Sequence, residues 1–206
     1  MVGWLDKYFQ IAPCFRDEDP RSDRAMCEFY QIDFEMSFVE QEDVIQIIQD
    51  YSLDVAKTLT PHKTLKFGDD IPRIPYQEAM DRYGIDRPDL RFDLTIEDFS
   101  DEFKESEFKL FSSTINDGWY VRALKLSGET MSRKEIDTLT DHVQRASGAK
   151  WLPYLIFEED VRGSVAKPLS DLEIDRVRSK LDVQPGDMVF FGIWDYAQVC
   201  KTLHHT

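Results

Sequence analysis

The sequence predicts an α+β protein built on antiparallel sheet, and three patterns predict it. Residues 8–16 and 29–38 alternate in polarity with a period of two on either side of a charge-dense loop. Residues 41–59 carry an apolar stripe at helical spacing. From about residue 92 onward, turn signals and helix caps cut the chain into short helices and strands without internal repeat.

The first hairpin rests on parity. In 29–38, Tyr30, Ile32, Phe34, Met36 and Phe38 fall on one face, the core side of a sheet. Phe29, Gln31, Asp33, Glu35 and Ser37 fall on the other. In 8–16, Phe9, Ile11, Pro13 and Phe15 oppose Tyr8, Gln10, Ala12, Cys14 and Arg16. Antiparallel pairing through the loop puts Arg16 on the face of Gln31 and Asp33. That face offers a cation, a carboxylate, an amide and a flat ring, a set suited to a ligand with a phosphate, an amine and an aromatic ring. A face that is merely solvated has no need of Phe29. The loop interleaves Arg16, Arg21 and Arg24 with Asp17, Glu18, Asp19 and Asp23, which is not a simple solubility run.

The later elements follow from local chemistry. The helix at 41–59 places Val44, Ile47, Ile48, Tyr51, Val55 and Leu59 on one stripe, with Glu42 and Asp43 in the first turn where the helix dipole favours acids. A turn-rich stretch from Pro61 to Pro75 precedes a short helix at 76–83, stopped by Gly84. Residues 86–91 are expected to connect a domain at 1–91 with a compact α+β domain at 92–206. In the second domain, 108–115 and 119–126 are expected to form a hairpin around Asn116-Asp117-Gly118. Ser132 and Glu135 form a capping box for a helix that stops near Gly148, and Ser170 and Glu173 form another for a helix to about Leu181. Residues 151–157 read as a strand and 188–193 as a buried strand. Tyr196, Val199, Cys200 and Leu203 have helical spacing ahead of a His204-His205-Thr206 tail expected to fray.

Composition bounds the function. With 42% hydrophobic residues and 14 Phe, the chain can bury a core. No apolar run is long enough to cross a membrane, and no signal pattern opens the chain, so a membrane role is not expected. Cys14, Cys27 and Cys200 are odd in number and widely spaced, which fits a reducing cytoplasm and forms no metal-site spacing. Metal ligands are therefore expected to be none. The net charge of −15 argues against this stretch gripping nucleic acid unaided, because phosphate contacts need Lys and Arg.

The run Phe15-Arg16-Asp17-Glu18-Asp19, followed by Glu28-Phe29-Tyr30-Gln31-Ile32-Asp33-Phe34-Glu35-Met36-Ser37-Phe38, resembles motif 2 of the class II aminoacyl-tRNA synthetases, and in particular the bacterial-type aspartyl enzymes. The likeness continues through Pro72-Arg73-Ile74-Pro75-Tyr76 and Arg87-Pro88-Asp89-Leu90-Arg91. Ser132–Asp137, Arg162-Gly163 with Ala166-Lys167, and Pro185-Gly186-Asp187 with Phe190-Phe191 resemble the insertion (GAD-type) domain of those enzymes. The resemblance implies part of a class II antiparallel catalytic sheet at 1–91 and the insertion domain at 92–206. It implies ATP-dependent activation of L-aspartate and its transfer to tRNA, in a cytoplasmic protein that is a homodimer when complete, with Mg²⁺ arriving with ATP.

The same resemblance implies roles for residues. Arg16 would contact the α-phosphate and the substrate carboxylate, and is the catalytic candidate. Asp17, Glu18, Arg24 and Phe29 complete the ATP-binding set, with Glu18 at the adenosine or the tRNA 3′ end, Arg24 at the γ-phosphate and Phe29 under the adenine. Gln31 and Asp33, with Arg16, hold aspartate. At the loop tip Ala25-Met26-Cys27 stands where the family commonly has proline and often glycine, which bears on the loop's geometry. Motif 1, motif 3 and the anticodon-binding domain of the family are not found in the sequence. The chain is therefore expected to be an internal fragment that is inactive when isolated. The alternative is a catalytically inactive remnant, or a non-catalytic interaction module beside tRNA.

Overall fold

The computed structural model describes residues 4–17, 27–128 and 130–206, which belong to two compact units, Met1–Pro72 and Arg73–Thr206. In the first unit, β1 (Lys7–Phe15) pairs antiparallel with β2 (Glu28–Met36), setting Phe9 opposite Phe34, Ile11 opposite Ile32 and Phe15 opposite Glu28. Backbone bonds from Ser37 N to the Asp6 carbonyl (2.9 Å) and from Arg16 N to the Cys27 carbonyl (2.8 Å) extend the ladder past both ends. The alternation read from the sequence is therefore the alternation in the hairpin. Its apolar face is open rather than buried: Phe9 is 75% and Tyr30 72% exposed. Two strands alone supply no second layer to cover such a face. Helix α1 (Gln41–Leu59) begins where the Asp43 carboxylate accepts from the Glu40 N–H at 2.9 Å, and none of its residues is buried.

The second unit is built on a five-stranded antiparallel sheet of order β3-β4-β7-β5-β6, comprising β3 (Ile96–Asp98), β4 (Tyr120–Leu126), β5 (Tyr154–Phe157), β6 (Val161–Arg162) and β7 (Met188–Trp194). Its helices are α2 (Tyr76–Tyr83), α3 (Lys109–Asn116), α4 (Arg133–Ser147), α5 (Asp171–Lys180) and α6 (Tyr196–His204). Period-two alternation sorts the strands onto two cores. Val121, Ala123, Leu155, Val189 and Phe191 share one cluster with Phe99, Phe103, Phe111 of α3 and Val177 of α5. There the Phe103 and Phe111 rings lie 4.8 Å apart and Phe111 and Phe191 5.5 Å apart. On the other face, Tyr154, Ile156, Met188 and Phe190 meet Ile136 and Val143 of α4, while Leu124 meets Val199 and Leu203 of α6. Because helices cover both faces, β7 is a continuous apolar run from Met188 to Ile193. Gly192 lets α6 come close, since a Cβ there would sit 2.9 Å from Leu203 Cγ.

Several local expectations hold. Both capping boxes form: the Glu135 carboxylate accepts from Ser132 N at 2.7 Å, and that of Glu173 from Ser170 N at 2.8 Å. Gly84 ends α2 and Gly148 ends α4, both with left-handed backbone.

The expected hairpin of 108–115 with 119–126 is not formed. Residues 109–116 are helix α3, and β4 pairs instead with β3 and β7. Phe108, Phe111, Ser112 and Ile115 have helical spacing, and burying Phe111 and Ser112 selects that period over alternation. The β-prone hydroxyls are accommodated by bonding back one turn, with Thr114 Oγ1 donating to the Leu110 carbonyl at 2.7 Å. Asn116-Asp117-Gly118 is thus a helix-to-strand turn. The units divide at Pro72–Arg73, ahead of the 86–91 connector, and α2 packs with α6 and β3 of the second unit. The terminal histidines do not fray: His204 lies in α6, and the His205 ring meets that of His142 at 6.1 Å.

Candidate active site

The antiparallel register places the polar sides of β1 and β2 together. Gln10 stands opposite Asp33, Ala12 opposite Gln31 and Cys14 opposite Phe29. Gln10 Nε2 donates to Asp33 Oδ2 at 3.0 Å, so the carboxylate is held in place across the ladder. The Cys14 thiol lies 3.8 Å from Gln31 Oε1. Arg16 follows the last residue of β1, and its guanidinium lies over the Phe29 ring, 5.5 Å from the centroid.

Arg16, Phe29, Gln31 and Asp33 are therefore brought to one face, as the parity of the sequence requires. Phe29 and Asp33 are half-buried, whereas Gln31 is exposed. Asp17 is exposed beyond the end of β1. Glu18 and Arg24, together with Ala25 and Met26 of the loop tip, lie outside the described residues.

Gln10 is the residue that sequence reasoning left without a role. Parity puts it on the correct face, but only the register puts it opposite Asp33. Once Phe15 is paired with Glu28, counting back along both strands finds the pair.

Chemically, the face can bind oxyanions through the two-pronged guanidinium of Arg16. It can hold a flat ring against Phe29 and an ammonium group against the Asp33 carboxylate. Among the described residues, no cluster of three His, Cys, Asp or Glu side chains could hold a metal ion.

Comparison with known proteins fixes the lineage. The family model for tRNA synthetases class II (D, K and N) matches residues 1–204. The chain belongs to this synthetase family. Within the family, it is 45% identical over 197 residues to the aspartate–tRNA(Asp/Asn) ligase of Wolbachia pipientis subsp. Culex pipiens (strain wPip), covering 93% of this chain and 32% of the relative. It is 44% identical over 193 residues to the ligase of the same name from Ehrlichia chaffeensis (strain ATCC CRL-10679 / Arkansas), again covering 93% and 32%. The like-named ligase of Chlorobaculum parvum (strain DSM 263 / NCIMB 8327) is 39% identical over 204 residues, covering 98% of this chain and 34% of the relative. The chain thus spans about a third of the length of the curated relatives it matches.

Proposed function

We propose that the chain supplies the motif 2 hairpin and the insertion domain of an aspartate–tRNA ligase, with the hairpin face forming part of the adenylate site. The carrying observation is that Arg16, Phe29, Gln31 and Asp33 share one face of the β1–β2 pair. In the complete protein, a carboxylate oxygen of L-aspartate attacks the α-phosphorus of ATP, and the bond to pyrophosphate breaks. Negative charge grows on the α-phosphoryl oxygens, so a fixed cation matters more than a proton carrier. Arg16 takes that role, with its fork on an α-phosphate oxygen and on the attacking carboxylate. Phe29 carries the adenine. Asp33, steadied by Gln10, attracts the substrate ammonium, and Gln31 lies beside it. The terminal hydroxyl of tRNA then attacks the aspartyl carbonyl and AMP leaves.

Asp17, Glu18 and Arg24 belong to the same ATP set in this reading. Mg²⁺ bound with ATP neutralises phosphate charge, and we assign it no protein ligand here. The complete protein acts as a cytoplasmic homodimer. No helix among the described residues is long and apolar enough to cross a membrane. Residues 1–91 fall to the catalytic domain and 92–206 to the insertion domain. The open apolar face of the hairpin is where further catalytic-domain structure would pack, which is why the isolated chain is expected to be inactive.

The test grafts this chain in place of the matched third of the Wolbachia pipientis relative. The graft should catalyse aspartate-dependent exchange between ATP and pyrophosphate, while the 206-residue chain alone should not. Arg16→Ala in the graft should lower exchange by roughly 10²–10³-fold, the usual loss for one electrostatic contact to developing charge. Exchange that survives Arg16→Ala unchanged would remove Arg16 from the site.

A further inference from the structure

Three of the four tryptophans, Trp119, Trp151 and Trp194, gather at one end of the second unit's sheet. Beside Trp194 opens a cavity of about 310 Å³, whose wall includes Trp151, Leu110, Ile193, Gln198 and Lys150. Trp194 stacks on Trp119, with ring centroids 4.3 Å apart. Its backbone is held at φ 153°, a conformation that residues with a side chain rarely adopt. Strain of this kind persists only where the surroundings enforce it, and it collects at ligand sites. Trp151 and Trp194 are 39% and 43% exposed, so both rings keep apolar surface open to an occupant.

Gln198 supplies a polar contact. Its Nε2 donates to the Ser147 carbonyl at 2.9 Å and to Thr202 Oγ1 at 3.2 Å. A carbonyl can only accept, so this pairing fixes which end of the amide is nitrogen. Both amide hydrogens are used, and Oε1 accepts from no described residue. The Thr202 hydroxyl hydrogen is spent as well, donated to the Gln198 backbone carbonyl at 2.7 Å. The wall therefore presents a fixed acceptor that is still open. Charge narrows the occupant from both sides. The net charge of −15 repels anions, and the single lysine at the cavity does not offset it. The exposed Lys150 repels cations, and no acid lines the cavity among the described residues to hold one. The occupant is therefore uncharged. Indole faces select a flat ring, and the volume lies in the small-ligand range. A ribose is disfavoured, because its hydroxyls would meet a mostly apolar wall and lose their partners.

We propose that this cavity binds an uncharged, fused-ring aromatic compound bearing one ring N–H. Its ring lies against Trp151 and Trp194, and its N–H donates to Gln198 Oε1. Indole itself has this chemistry. The site lies wholly in the second unit, uses none of the hairpin residues and is built for neither a nucleotide nor an amino acid.

The test titrates indole into the full, isotope-labelled chain and follows amide and tryptophan N–H chemical shifts, without ATP or aspartate. A failure of the ligase reading would therefore leave the result unaffected. Saturable shifts confined to the residues lining the cavity are expected. N-methylindole keeps the rings and lacks the donor, so it should bind roughly threefold to tenfold more weakly, the usual loss for one hydrogen bond. Indoleacetate, an anion, and tryptamine, a cation, should each bind more weakly than indole. Trp151→Ala should weaken indole binding and Trp151→Phe should restore part of it, whereas Leu172→Ala, a change at an exposed site on α5, should leave it unchanged. Lys150→Glu alters only an exposed side chain and keeps the fold. It should raise the affinity for tryptamine severalfold and leave that for indole unchanged. The proposal is overturned by an absence of saturation, by shifts centred away from the cavity, or by equal binding of N-methylindole. A preference for either ion over indole in the unaltered chain would overturn the uncharged class, as would Lys150→Glu without a gain for tryptamine. Tighter binding of adenosine than of indole would overturn the ligand class.

Discussion

At the scale of single residues, the second unit depends on one buried cation. Arg122 is 4% exposed on β4, with Asp81 and Asp98 carboxylates at 4.0 and 3.9 Å and its guanidinium over the Tyr196 ring. Burying a guanidinium is tolerable only when charge and hydrogen-bond partners surround it. Tyr196 completes the group. Its hydroxyl donates to Asp81 at 2.6 Å and accepts from Gln77 at 2.9 Å. Burial first, and then the bond to Asp81, push the phenol well above its ordinary range. Tyr196→Phe keeps the ring and deletes both bonds. It should cost about 1–2 kcal/mol, the ordinary range for a hydrogen bond whose partners are left short, read as a lower melting temperature. An unchanged melting temperature would show that solvent replaces the hydroxyl without loss. Arg122 and Tyr196 had no partner visible in the sequence, because 74 positions separate them and only the packing of α6 on β4 joins them.

At the scale of elements, α6 shows how packing sets pH dependence. Burial and the nearby Arg87 lower the pKa of His204. Burial, with His204, His142 and Lys201 adding repulsion, lowers that of His205. Both bases therefore bind protons more weakly in the folded chain than in the unfolded one, whose ordinary value is 6.5. Below about that pH the unfolded state holds more protons, so stability rises with pH across this window. The stabilisation is fully present above the unfolded value and is lost as pH falls from it toward the folded values. Melting temperature should drop between pH 7 and 5, and replacing both histidines with Gln should flatten that slope. A slope identical in the double variant would place the titration elsewhere. The neighbouring element α3 carries the opposite lesson about legibility. Its helical period was present in Phe108, Phe111, Ser112 and Ile115, but the β-prone Ser112-Ser113-Thr114 run and the Asn116-Asp117-Gly118 turn suited a hairpin equally well. The decision came from Phe191, in a distant part of the chain, which with the nearer Phe103 closes around Phe111.

At the scale of the whole molecule, the two units differ in what they bury. Residues 73–206 close two cores around a sheet covered on both faces, whereas β1, β2 and α1 leave their apolar sides open. Hydrophobic burial at about 25 cal/mol per Å² is the main term favouring a fold, so the first unit has much less to resist opening. Amide hydrogen exchange should show stronger protection across β4, β5 and β7 than across β1 and β2. Equal protection in a monomer would contradict this, and slowing of β1 and β2 exchange in the grafted relative would show the open face being covered.

Short-range chemistry made much of this protein readable in advance. Caps at Ser132 and Ser170, stops at Gly84 and Gly148, and the shared parity of Phe29, Gln31 and Asp33 along one strand depend on residues a few positions apart, so the sequence alone determined them. Tertiary structure decided the helix at 109–116, the pairing of Gln10 with Asp33, the Arg122–Tyr196 contact and the tryptophan-lined cavity. Each of these rests on which distant surface a segment meets. That choice is set by the burial of area and charge across the assembled sheet, a quantity no local window of the chain contains.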